Sequence, residues 1–151
     1  MELRKATLRD IPAMQALVEG YVREGIILYR SNDEIAHTIR SYTLVEEDGE
    51  LVGFGALHIY SPQLAEVRSL LIAPSFQHKG YGKKLVNRLL EEARSLGLSK
   101  VLALTYHGDF FRSLGFHEIP KEEIPNQKVW EDCIKCKQFP VCNELAFIVE
   151  I

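Results

Sequence analysis

Residues 66–85 read Glu66-Val67-Arg68-Ser69-Leu70-Leu71-Ile72-Ala73-Pro74-Ser75-Phe76-Gln77-His78-Lys79-Gly80-Tyr81-Gly82-Lys83-Lys84-Leu85. The apolar run Leu70 to Ala73 closes a strand that begins at Leu64, and Pro74 stops it because proline cannot donate to the ladder. A turn containing glycines then opens a helix from about Gly80 to Leu96. Leu85, Val86, Leu89, Leu90, Ala93 and Leu96 line one face of it, and Gly97 fits the position just past its end. A helix start exposes unpaired N–H groups and the positive end of the dipole, where anionic phosphates bind readily. Gly80 and Gly82 let the backbone come close to such a group, and Lys79, Lys83 and Lys84 add positive charge. The spacing Gln77-x-x-Gly80-x-Gly82 lacks the third glycine of the dinucleotide fingerprint and the Gly-Lys-Ser/Thr end of a P-loop. The plainer alternative is a glycine-containing loop before a core helix, with solvated lysines.

Outward from this stretch, strand and helix patterns alternate along the chain. Glu2 to Thr7 alternates apolar and polar residues as a strand does. Asp10 and Pro12 suit the start of a helix carrying Ile11, Met14, Leu17, Val18, Tyr21 and Val22, with Gly25 ending it. Ser31 and Glu34 form a capping box for a second helix, which shows Ile35 and Ile39 to a core. Tyr42–Glu46 and Leu51–Tyr60 read as strands joined by an Asp48-Gly49 turn. Val101–Thr105 is a buried strand, Asp109–Leu114 a short helix ended by Gly115, and Phe116 begins another strand. Residues 119–140 are irregular, and Leu145–Ile151 is a closing strand. The expected order is β-α-α-β-β-β-α-β-α-β-β, a mixed α/β fold in which the crossover helix makes its flanking strands parallel.

The 151 residues suit one domain, 1–151, with a sizeable core. Eighteen basic against 21 acidic residues give a net charge of −3, which offers no electrostatic case for nucleic acid as a partner. The start, Met1-Glu2-Leu3-Arg4-Lys5, leads into no apolar signal region, and no run is long enough to span a membrane. Three cysteines make no secreted disulfide framework, so the expected location is cytoplasmic.

The stretch Leu70-Leu71-Ile72-Ala73-Pro74 followed by Gln77 to Gly82, with Phe111-Arg112-Ser113-Leu114-Gly115-Phe116 downstream, resembles the GNAT family of N-acetyltransferases over nearly the whole chain. The resemblance implies a GNAT-type sheet whose central strands, Leu70–Ile72 and Val101–Thr105, splay apart to admit acetyl-CoA as co-substrate. After Gln77, the amides of His78, Lys79, Gly80, Tyr81, Gly82 and Lys83 would hold the pyrophosphate. Backbone groups of Leu70, Leu71 and Ile72 would pair with the pantetheine arm and stabilise the oxyanion. Many family members place a tyrosine acid five residues before the phenylalanine of the Gly-Phe pair. Here that position is Phe111, so Tyr106 and Thr105 are the nearest substitutes, with a packed aromatic as the alternative for Tyr106. Glu66 is the candidate base for the acceptor amine, against a plain solvent-facing strand residue.

A closer resemblance is to short N-acetylglutamate synthase-like enzymes of arginine biosynthesis. It rests on Gly25-Ile26-Ile27-Leu28-Tyr29-Arg30-Ser31, on Ala65-Glu66-Val67-Arg68-Ser69-Leu70, and on Ile124-Pro125-x-x-Lys128-x-Trp130-x-Asp132-Cys133-x-x-Cys136. It implies direct attack by the α-amino group of L-glutamate, with no covalent enzyme intermediate and no metal. Two acceptor carboxylates need cationic partners, and Arg30, Arg68 and Lys128 are the candidates, each with an exposed surface charge as its alternative. The inhibitory amino-acid-kinase-like domain of the long forms has no counterpart in the sequence. Other amino acids, small amines, or a non-catalytic acyl-CoA-sensing module remain alternatives, and a homodimer is compatible. Cys133, Cys136 and Cys142 make an incomplete metal pattern, read first as reduced thiols. His58 reads as a packing residue, and nothing local singles out His107.

Overall fold

The computed structural model describes residues 1–124 and 144–151. Seven strands form one sheet in the order β1-β2-β3-β4-β5-β7-β6. They are β1 (Glu2–Lys5), β2 (Tyr42–Glu47), β3 (Glu50–Ile59), β4 (Leu64–Ile72), β5 (Lys100–Thr105), β6 (His117–Ile119) and β7 (Leu145–Glu150). The helices are α1 (Ile11–Arg23), α2 (Asn32–His37), α3 (Tyr81–Ser95) and α4 (Gly108–Ser113). The element order is the one expected, and β4 and β5, flanking the crossover helix α3, are the parallel pair.

Local chemistry accounts for the boundaries. Asp48 and Gly49 both have positive φ, 51° and 80°, the requirement of a two-residue hairpin turn between β2 and β3. The Ser31 hydroxyl accepts from the Glu34 N–H at 3.1 Å, so the capping box that starts α2 is present. Gly97, at φ 88°, ends α3. Some details differ from expectation. β1 stops at Lys5, because the Thr7 N–H bonds Asp10 Oδ2 at 2.7 Å and starts a 3-10 turn over Leu8–Asp10. Asp10 stands at the N-cap position of α1 as expected, but its side chain makes no cap bond, since its carboxylate turns back to Thr7 and to Arg4. Leu96 lies off the buried face of α3 and is 57% exposed.

The period-2 alternation of the strands sorts side chains onto two faces. Leu44, Phe54, Ala56 and Leu71 pack with Ile11, Met14 and Val18 of α1 and Ile35 of α2. Leu57, Ala65, Val67, Val101 and Ala103 face the other way and pack with Val86, Leu89, Leu90 and Ala93 of α3 and with Phe111, Phe116 and Phe147. Helices therefore cover both faces. Leucines at α3 spacing and branched residues on the strands close a core layer on each face of the sheet.

β4 carries a bulge. Ala56 pairs with Arg68 and Phe54 with Leu71, so two residues of β4, Ser69 and Leu70, stand opposite Gly55 alone. Ser69 takes a left-handed conformation, φ 54°, to make this bulge. A Cβ on Gly55 would sit 3.0 Å from Leu70 Cδ1, so glycine makes room opposite the extra residue. On its other edge β4 pairs with β5 only at Leu64, Ala65 and Glu66. Beyond Glu66 the two strands have no paired residues, and a split opens in the middle of the sheet.

Candidate active site

The split leads into a cleft of about 960 Å³, near the top of the roughly 300–1,000 Å³ span of ligand pockets. One end is the turn before α3. Gly80 is the residue preceding the helix, with φ 83°, and no side chain caps the first turn. His78 also has positive φ, 63°. Successive N–H groups in such a turn form a concavity that suits an anion. His78, Gly80, Gly82 and Lys83 line the cleft there. A Cβ on Gly82 would meet the Phe110 ring at 3.4 Å, so a larger residue crowds the wall of the cleft. Lys79 sits over the Phe76 ring, 5.4 Å from its centre, and is not among the lining residues.

Two motif residues act partly through their side chains. Gln77 Nε2 donates to the Ile72 carbonyl at 2.9 Å and ties the turn to the strand end. Tyr81 stacks on Phe76, and beside it Glu47 meets the Met1 ammonium at 2.9 Å. The ammonium's hydrogen bond holds the Glu47 carboxyl below its ordinary range, whereas burial, followed by Glu47, pushes the Tyr81 phenol up.

The backbone edge facing the split is narrower than expected. The Ala73 N–H donates to the Val52 carbonyl at 2.7 Å, which sets the phase of the β3–β4 ladder. Ala73, and Leu71 two residues before it, turn their backbone groups toward β3. Ile72 and Leu70 turn theirs to the open edge, as the Gln77 bond to the Ile72 carbonyl attests. Leu70 and the Ile72 N–H thus face the edge that an added strand would use, the Ile72 carbonyl being held by Gln77, whereas Leu71 faces β3 and its side chain packs toward α1.

At the other end of the cleft, side chains gather on the α1 and α2 face. Ala65 and Val67 face α3, so Glu66 and Arg68 between and beyond them face the opposite side. Glu66 occupies the last paired position before the strands part, opposite His58 on β3 and Leu102 on β5. It is 2% exposed, and its Oε1 accepts from the Tyr60 hydroxyl at 2.6 Å. Arg68 is 9% exposed and lines the cleft. The readings of Glu66 as solvent-facing and Arg68 as surface charge are therefore both set aside.

Arg30 arrives from the segment after α1. Gly25, at φ 74°, turns the chain, the Ile26 N–H bonds back to the Tyr21 carbonyl at 2.9 Å, and Gln15 Nε2 holds the Arg30 carbonyl at 2.9 Å. The Arg30 side chain is 9% exposed, with Glu34 at 4.0 Å. Tyr106 and Thr105, at the end of β5, also line the cleft, as does His107. Phe111 is 4% exposed, edge-on to Phe110 and Phe116, and carries no proton to give. Lys128 and the three cysteines lie outside the described residues, among which no group of metal-ligating side chains occurs. Among the same residues no helix is long and apolar enough to cross a membrane. Sequence reasoning missed the bulge at Ser69 and the bond from Tyr60.

The family model described as the acetyltransferase (GNAT) family matches residues 8–119. An uncharacterized N-acetyltransferase of Chlorobaculum tepidum is 37% identical over 146 residues, covering 97% of this chain and 94% of that one. An amino-acid acetyltransferase of Neisseria meningitidis is 32% identical over 85% of this chain, which spans 30% of that enzyme's length. An amino-acid acetyltransferase of Mycobacterium tuberculosis is 32% identical over 87% of this chain and 76% of its own length. Among solved structures, N-acetylglutamate synthase from Neisseria gonorrhoeae, complexed with coenzyme A and N-acetyl-glutamate, matches with a TM-score of 0.88 and 27% identity. That match covers 99% of this chain and 34% of that one.

Proposed function

This chain belongs to the GNAT acetyltransferase family, whose acetyl donor is acetyl-CoA, and from that premise we propose that it acetylates the α-amino group of an amino acid, L-glutamate foremost. The observation that carries the reading is that Glu66, at the point where β4 and β5 part, lines one cleft together with Arg68 and Arg30. One carboxylate and two nearly buried guanidinium groups suit a substrate with one amine and two carboxylates. The amino-acid acetyltransferases of Neisseria and Mycobacterium, and the synthase complexed with N-acetyl-glutamate, support the same acceptor class. A place in arginine biosynthesis follows only if glutamate is the acceptor.

Acetyl-CoA, when bound, supplies a thioester carbonyl as the electrophile. The turn from His78 to Lys83 holds its diphosphate through main-chain N–H groups, and the edge groups of Leu70 and Ile72 receive its pantetheine arm. Arg30 grips the acceptor α-carboxylate, and Arg68 the side-chain carboxylate, with Lys128 as a further cation. Glu66 takes the proton from the acceptor ammonium and frees the lone pair that attacks. An edge-facing N–H of Leu70 or Ile72 donates to the charge that develops on the carbonyl oxygen. Tyr106 gives a proton to the departing thiolate, in place of the hydroxyl that Phe111 lacks, and the second proton that the nitrogen loses as the amide forms restores the phenol.

Steady-state kinetics on a panel of glutamate, glutamine and neutral amino acids tests the acceptor. Glutamate should have the highest kcat/KM, and a neutral amino acid far above it would reject this choice. Glu66→Gln should lower kcat by about 10²- to 10⁴-fold while leaving CoA affinity intact. CoA binding with no turnover on any amine would replace the enzyme reading with an acyl-CoA-sensing one.

A further inference from the structure

A carboxylate that is to take a proton must hold its orientation, because a displacement of about 1 Å costs up to about 10²-fold in rate. Glu66 stands at the apex of the split, where the β4–β5 ladder that fixes its backbone ends. Its side chain is anchored on the other side, by the Tyr60 hydroxyl at 2.6 Å. That length falls in the ~2.5–2.7 Å range of charge-assisted O–H···O⁻ bonds.

Tyr60 is itself held in place. Its N–H donates to the Leu64 carbonyl at 2.9 Å, closing the turn between β3 and β4. Its ring meets His58 edge-on, with centres 4.8 Å apart and planes at 82°. His58 is the cross-strand partner of Glu66, so the three side chains share one face.

We propose that Tyr60 is a positioning residue for the acetyl transfer: its hydroxyl fixes one oxygen of Glu66 and so presents the carboxylate to the acceptor amine. Tyr60 acts through Glu66, and the inference rests on Glu66 as the base.

A double-mutant cycle on the full chain tests it, with Tyr60→Phe, Glu66→Gln and the pair. Tyr60→Phe keeps the ring against His58 and removes only the hydroxyl. It should lower kcat by about 10- to 100-fold, with CoA affinity from titration within about twofold, since the phosphate turn is remote. In the Glu66→Gln background, Tyr60→Phe should cause no further loss, because residues acting as one unit are not additive. An equal loss in both backgrounds would mark a merely structural effect and overturn the proposal, as would full activity of Tyr60→Phe beside an inactive Glu66→Gln. Full activity of Glu66→Gln is a different result, one that removes the base itself and the role of Tyr60 with it.

Discussion

Replacing Arg30 with alanine separates acceptor binding from everything else in the molecule. The guanidinium is 9% exposed at the cleft, where a carboxylate would receive two charge-assisted hydrogen bonds. Each is worth about 1.5–3 kcal/mol, and because the two are not additive the pair is taken as roughly 2–4 kcal/mol. At a factor of ten per ~1.4 kcal/mol, the acceptor KM should rise roughly 30- to 1,000-fold. The backbone should not notice. The Arg30 carbonyl keeps its 2.9 Å bond from Gln15, and the Ser31–Glu34 capping box does not use the lost side chain. The substitution also removes the 4.0 Å contact with Glu34. An i,i+4 pair of this kind is worth a few tenths of a kcal/mol, so loss of that contact accounts for about 1 °C of Tm. Arg30→Lys, which keeps the charge but loses the planar fork, should lie between the two. The assay is initial rates over an acceptor titration at saturating acetyl-CoA, beside calorimetric CoA binding and a thermal melt. An acceptor KM within threefold of the parent, or a loss shared equally by CoA affinity, would refute the placement of the acceptor carboxylate.

Gly82→Val should weaken CoA binding by tenfold or more, since its side chain starts 3.4 Å from Phe110 at the mouth of the phosphate turn; undiminished affinity by titration would contradict the phosphate-site assignment. Tyr106→Phe should lower kcat by about tenfold or more with both KM values kept, as expected on removing a general acid, and an unchanged kcat would take Tyr106 out of the chemistry. The Arg4 guanidinium, bonded to both oxygens of Asp10 at 2.8 and 2.9 Å, holds that carboxyl well below the usual range. Its contribution to stability is therefore present above about pH 4 and lost as pH falls through the native-state value. Asp10→Asn should be less stable by about 1 kcal/mol near neutrality, discounted for the partial exposure of Arg4, and the gap in urea titrations should close in acid. An equal gap at both pH values would refute that account.

Features carried by local chemistry were readable in the chain. The leucine spacing of α3, the Asp48-Gly49 turn and the Ser31 capping box each rest on residues within one or two turns of one another, and the backbone follows them. The split in the sheet does not work that way. Ser69 adopts a left-handed conformation without glycine's freedom to do so, because the pairing on both sides of the bulge forces it. No residue type in 66–72 announces that. Burial of Arg68 was likewise hidden, since arginine in a strand reads as surface until its face is known. The tie between Tyr60 and Glu66 needs the β3–β4 register, which no single segment states. The insertion of β7 between β5 and β6 was also out of reach, because strand order across the sheet is set by tertiary packing.

That insertion bears on how the protein is made. Residues 100–105 leave the ribosome well before 145–150, the strand that pairs with them. At ~5–20 residues per second, Val101, Leu102 and Ala103 wait several seconds on an apolar edge with unmet main-chain partners. β6, whose sheet partner is β7, cannot dock sooner. Two of the seven strands, β6 and β7, therefore join the sheet in one late event, and the nascent chain is most in need of a chaperone between the synthesis of β5 and that of β7.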